Sequence, residues 1–217
     1  MRKTKLRSGE TILFIGDSIT DCGRRDDRGK PLGLGYVQMV SDLVTIREPE
    51  KEIRFINTGI GGNTVEDLRS RWWDDVLSFK PDWLPIKIGI NDCNRHLCSD
   101  KETLQSPRAF ERIYDQIIAE TRRRLPRCRI LLIDPFFMSR DDVADSYRAK
   151  VVRTLPKYIA TVHRMSAKYK TLLVRTHELF QKQLKHHTLA AFGLEPVHPN
   201  SAGHLLIAEA VYEALCK

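Results

Sequence analysis

An α/β fold built on a parallel sheet is predicted by two features of the chain: short apolar runs alternate with helix-patterned segments, and only a few residues link most of them. The 217 residues are ample for one such domain and need no disulfide or metal staples, so residues 1–217 are read as a single domain. Strands are expected at residues 11–16, 53–57, 84–90, 129–134 and 171–175, each rich in Ile, Leu or Val. Five strands joined through helices imply a three-layer α/β/α sandwich, flavodoxin-like, with the parallel sheet in the order 2-1-3-4-5.

The first strand, Ile12-Leu-Phe-Ile15, runs directly into Gly16, Asp17 and Ser18. A serine at the carboxyl end of a parallel strand faces the crevice where open α/β sheets bind ligands, so Ser18 is a candidate nucleophile. Gly-Asp-Ser is equally ordinary turn chemistry. Residues 21–35, rich in charge and glycine, read as a loop bordering that crevice, and residues 36–46 as a helix with Val37, Val40, Leu43 and Val44 on its apolar face.

After the second strand comes Asn57-Thr-Gly-Ile-Gly-Gly-Asn-Thr64, a glycine-rich turn ahead of a helix that opens at Thr64, Glu66 and Asp67 and is expected to reach Leu77. Such a turn brings backbone N–H groups close to a negative ligand and suits a phosphate site, an oxyanion hole or simply a tight turn. It lacks the lysine of a P-loop. The third strand ends in Ile88-Gly-Ile-Asn-Asp92; Asn91 is either a neutral oxyanion donor or a strand-end cap. Residues 91–105 are expected to form a second long loop. Ser106-Pro107 then starts a helix running to Leu125, and residues 145–170 form a long helix that Pro156 should kink or break.

Near the end, Glu195-Pro-Val-His-Pro-Asn200 precedes a last helix with apolar Leu205, Leu206, Ala208, Val211 and Leu215. His198, held between Val197 and Pro199 with Glu195 three residues upstream, has the makings of a general base with an orienting acid, or of a plain surface histidine. His204, inside the helix, reads as structural. Asp17 and Asn63 read as residues that hold their turns together.

The net charge of +8 is spread along the chain, and its densest run, Arg122-Arg-Arg124, sits at a helix end that suits cations, so no nucleic-acid partner is expected. Five scattered cysteines without a Cys-x-x-Cys pair suggest reduced thiols and no metal site. The basic first residues are not followed by an apolar stretch, and no run approaches the ~20 residues of a membrane span, so a cytoplasmic protein without a membrane partner is expected.

Four blocks in order, Gly16-Asp-Ser-Ile-Thr20, residues 59–64 with Gly62, Gly89-Ile-Asn-Asp92 and His198-Pro-Asn200, strongly resemble the GDSL esterase and lipase family, also called SGNH hydrolases. The resemblance spans residues 11–212. Within the family the chain most resembles the small, unsecreted acetylxylan esterases, through Phe14-Ile-Gly-Asp-Ser-Ile-Thr-Asp-Cys-Gly-Arg24, Gly61-Gly-Asn-Thr-Val-Glu-Asp-Leu68 and Lys87-Ile-Gly-Ile-Asn-Asp92. It implies a serine esterase without cofactor or metal: Ser18 as nucleophile, His198 as base, Glu195 as acid, and an oxyanion hole from the N–H groups of Ser18 and Gly62 and the Asn91 side chain. It also implies a homo-oligomer. The family pattern has aspartate three before the histidine; here Glu195 has one more methylene, which leaves either a rearranged triad or little more than a Ser-His dyad.

The substrate implied is an O-acetyl ester on a xylo-oligosaccharide or related sugar. A lysophospholipase or thioesterase of the same family, or a non-catalytic ligand-binding module on the fold, is the alternative. Trp72, Trp73 and Trp83 are either sugar-stacking or core residues. Arg24, Arg25, Arg28, Arg95 and His96 lie in or beside the rim loops, as solvated charge or as contacts to polar substrates.

Overall fold

The computed structural model describes residues 2–99, 104–141 and 143–217. Their elements run β1 (Thr11–Gly16), α1 (Ser18–Asp21), α2 (Tyr36–Arg47), β2 (Arg54–Asn57), α3 (Val65–Ser70), α4 (Trp72–Asp75), β3 (Trp83–Lys87), α5 (Ile90–Leu97), α6 (Pro107–Arg124), β4 (Arg129–Ile133), α7 (Tyr147–Tyr169), β5 (Leu172–Val174), α8 (Thr176–Gln183) and α9 (Ser201–Leu215), with single 3-10 turns at Leu77–Phe79 and Leu189–Ala191. The five strands are parallel and lie in the order β2-β1-β3-β4-β5, as the alternation of elements predicts.

Successive strand residues point to opposite faces, and that alternation divides the core in two. Leu13, Ile15, Leu84, Ile86 and Leu132 pack on one face against α3 to α7. Ile12, Phe14, Leu131, Ile133 and Val174 pack on the other against α2, α8 and α9. Both faces are covered, which is why the strands read as nearly continuous apolar runs. The order in which strands are added reverses between the neighbours β1 and β3, and such a switch point opens a crevice at the carboxyl edge of a parallel sheet.

Several expectations are corrected. The helix expected from Thr64 to Leu77 is interrupted at Arg71, where the backbone takes φ −108° and ψ 12° while the guanidinium turns back toward the strand ends. β3 stops at Lys87 because Gly89 adopts φ +131° and α5 begins at Ile90, so much of the loop expected over residues 91–105 is helical. Its brevity hid it: Ile90 and Cys93 are fully buried, but eight residues give too little periodicity to recognise. Residues 100–103 of that expected loop lie outside the described residues. α7 continues through Pro156, since one missing N–H is outweighed by Val151, Leu155, Tyr158 and Val162 buried along its inner face. α8 was not anticipated. Ser106 caps α6 through a hydrogen bond from Ala109 N, with Pro107 in its first turn, as the Ser-Pro pair predicts.

Candidate active site

Ser18 follows β1 by one peptide and occupies the first position of α1. Asp17 caps the helix by accepting the Ile19 N–H at 3.0 Å, and no later turn returns a partner to the Ser18 N–H, as expected for a first-turn donor. His198 is delivered by the segment before α9. Asn200 caps α9 by accepting from Ala202 N and Gly203 N, while a bridge between Gly193 and Pro199 folds the segment back on itself. This brings His198 Nε2 to 2.8 Å from Ser18 Oγ.

Glu195 solves the problem of its extra methylene by curling back inside its own turn. Its Oε1 accepts from His198 Nδ1 at 2.6 Å and from the His198 backbone N–H at 2.6 Å, and its Oε2 accepts from Val197 N at 2.8 Å. With Nδ1 donating to the carboxylate, the Nε2 lone pair faces the serine hydroxyl. Ser18, His198 and Glu195 therefore meet in one hydrogen-bonded chain, although 180 residues separate the first two.

The turn after β2 packs on α1, and the start of α5 reaches that turn. Residues 57–64 approach α1 so tightly that a Cβ on Gly59 would stand 2.4 Å from Asp21 N, and Gly62 takes φ +77°, the left-handed region that glycine enters without strain. Asp21 accepts the Gly61 N–H through Oδ2 at 3.1 Å. Arg24 donates to Gly59 O, and Arg95 to Gly62 O at 2.8 Å, so both faces of the turn are held. Asn91, on α5 and not at a strand end, donates one N–H of its side chain to Asn63 O at 3.0 Å, which leaves the other available.

Arg71, singled out by no motif, ties the turns together. Its guanidinium donates to Thr58 O at 2.7 Å, Asn63 Oδ1 at 2.9 Å and Gly16 O at 3.3 Å, and it pairs with Asp75. Asp92 lies wholly buried beneath α3 and accepts the Val65 N–H; burial pushes its carboxyl up to about 8 against that hydrogen bond. His204 accepts the Tyr36 N–H on Nδ1 at 3.1 Å, so its proton sits on Nε2, toward Cys22 Sγ. Burial, with Lys87 and His198 adding repulsion, lowers it to about 4, which keeps it neutral and structural. A charged residue inside the apolar run Trp83-Leu-Pro-Ile-Lys87-Ile was the available signal for Lys87, whose ammonium is sealed from solvent.

The tryptophans stand away from the serine. Trp83 is buried at the amino end of β3, donating to Glu10 under Arg129, and Trp72 donates to Thr121 on α6. Trp73 is exposed but lies against Arg124, at the far end of α6. His96 is half-buried on α5, and Arg25 pairs with Asp21; neither they nor Arg28 contact Ser18 or His198. Among the described residues no cluster of three or more His, Cys, Asp or Glu is placed to hold a metal ion, and no helix is long and apolar enough to cross a membrane.

The family model described as GDSL-like Lipase/Acylhydrolase matches residues 14–206. An acetylxylan esterase from Geobacillus stearothermophilus is 40% identical over 212 residues, covering 95% of this chain and 94% of that protein. The crystal structure of that organism's acetylxylan esterase Axe2 superposes with a TM-score of 0.87 at 38% identity, over 97% of this chain and 96% of the other. LAE5, described as an alpha/beta hydrolase from the metagenome of Lake Arreo, superposes with a TM-score of 0.84 at 32% identity, covering 97% of this chain and 96% of its own. The chain is a carboxylic ester hydrolase and belongs to the GDSL-like lipase/acylhydrolase family.

Proposed function

We propose that the chain removes short acyl groups, acetyl foremost, from xylo-oligosaccharides or related sugars, by a Ser18-His198-Glu195 triad working through an acyl-enzyme. The observation that carries the reading is the unbroken chain from Ser18 Oγ through both ring nitrogens of His198 to Glu195. His198 Nε2 takes the serine proton as Ser18 Oγ bonds to the ester carbonyl carbon; the tetrahedral adduct collapses as the ring gives that proton to the departing sugar oxygen. Water then attacks the acyl-enzyme by the reverse proton path and releases the acid. Glu195 holds the Nδ1–H tautomer and stabilises the imidazolium. The oxyanion is met by the N–H groups of Ser18 and Gly62 and by the Asn91 amide, one such donor being worth about a hundred- to a thousandfold in turnover.

The acetylated sugar is proposed from the relative, an acetylxylan esterase; within this chain the tryptophans offer no stacking surface beside Ser18. The proposal includes one domain over residues 1–217, a homo-oligomer and a cytoplasmic setting, the last supported by five cysteines that are all unpaired. Release of the carboxylic acid from acetylated xylo-oligosaccharides, lysophospholipids and acyl thioesters, each with wild type and Ser18→Ala, tests the reading. Preference for the sugar esters and loss of turnover in Ser18→Ala is the expected result. Equal rates in the two proteins overturn the nucleophile, and preference for a lipid or a thioester overturns the substrate. Sedimentation of the purified chain reads its assembly state.

A further inference from the structure

Lys87 is the last residue of β3, and its Cα pairs in register with Gly16, one residue before Asp17. Both Lys87 and Asp17 are fully buried, with the ammonium 3.3 and 3.5 Å from the two carboxylate oxygens. The ring of Phe136 lies 5.0 Å from Nζ. Asp134, at the end of β4, adds a weaker attraction, but its carboxylate is already engaged by His163, Thr176 and the His177 N–H. Burial lowers Lys87 below its ordinary value, and Asp17 is the main opposing influence.

A buried ion pair contributes little net stability, since desolvation consumes most of its attraction. Its value lies in where it fixes its members. Asp17 Oδ1, gripped from behind by Lys87, accepts the Ile19 N–H, and Asp17 O accepts from Thr20 N and Asp21 N. Ser18 is enclosed by these bonds, so a shift of Asp17 rotates the Ser18 hydroxyl and its N–H together. An error of an ångström in such a constellation costs about a hundredfold in rate.

We propose that Lys87 is a positioning residue for the reaction: it anchors the Asp17 carboxylate to the central strand and thereby holds Ser18 Oγ in line with His198 and the Ser18 N–H toward the oxyanion. This rests on the triad reading given above. Lys87 itself touches neither substrate nor reacting atoms.

The test is the neutral double variant Lys87→Met with Asp17→Asn, which removes the tether without leaving an unpaired charge and preserves an acceptor for Ile19 N–H. Turnover of 4-nitrophenyl acetate is measured per active site, counted by stoichiometric 4-nitrophenolate release from diethyl 4-nitrophenyl phosphate. Expected are a melting temperature near that of wild type, KM within about twofold and kcat lowered at least tenfold. An unchanged kcat per titrated site would show that Lys87 only balances charge, and would overturn the proposal. Should the double variant not fold, Asp17→Asn alone serves, because the buried amine can then shed its proton; the same fall in kcat is expected and an unchanged kcat has the same meaning. Failure of the triad reading is separately visible, as wild type without turnover or Ser18→Ala equal to it.

Discussion

Glu195 shows how much a single side chain's conformation decides. Its carboxylate serves the His198 ring and two backbone N–H groups at once, so it both orients the proposed base and shapes the turn that carries it. Glu195→Gln puts an amide nitrogen where one of these three donors needs an acceptor. We expect kcat to fall by about a hundredfold or more, because imidazole tautomers are mis-set when the orienting carboxylate becomes an amide. Hydrolysis of 4-nitrophenyl acetate reads it, and near-wild-type turnover would reduce the triad to a dyad. Asn91→Ala, at the proposed oxyanion donor, which also holds Asn63 O, should lower kcat about a hundred- to a thousandfold with little change in KM. A rise in KM alone would place Asn91 in ground-state binding instead.

At the scale of elements, the break between α3 and α4 is a device for aiming Arg71. A continuous helix would keep that guanidinium on the helix surface; the break lets it reach Thr58, Asn63 and Gly16, on two different strand ends. A hydrogen bond from a charged donor to a buried group is worth roughly 1.5–3 kcal/mol, so Arg71→Ala should cost at least about 2 kcal/mol of stability. Because these bonds end on the strand ends that carry the proposed site, kcat should fall as well, and Arg71→Lys, which carries charge without the fork, should restore little of it. Urea unfolding and steady-state kinetics on both variants check this; full activity in Arg71→Ala would confine Arg71 to folding.

For the whole molecule, two buried groups set opposing pH responses. Asp92 is raised to about 8 from a value of 3.8 in the unfolded chain, so the folded state retains a proton that the unfolded state releases. Its contribution is complete below about pH 4 and is lost as pH rises to 8. His204 is lowered to about 4 from 6.5, so its contribution is complete above 6.5 and is lost as pH falls to 4. The two oppose each other between 4 and 6.5, and above that only Asp92 acts of the pair. Asp92→Asn should therefore gain stability relative to wild type between pH 5 and 9, and His204→Gln between pH 7 and 5, in urea midpoints. Differences that stay constant across those ranges would show that neither group titrates with folding.

Much of this was legible along the chain because strand period and glycine turns are local properties. Apolar runs such as Ile12-Leu-Phe-Ile15, whose residues go alternately to the two layers, alternate along the chain with helix-patterned segments, and that alternation of elements predicted the sheet and its order. Ser18, Gly62 and Asn91 were likewise marked by the apolar runs they follow in the sequence, and His198 by the helix it precedes. The sequence also held Glu195, but not its reach: only the folded turn shows the carboxylate curling back to His198. Arg71 and Lys87 escaped notice for the same physical reason. Lys87 stands out locally only as a charge inside an apolar run; the meaning of both residues lies in partners 55 and 70 residues away, met when the sheet assembles and water is excluded.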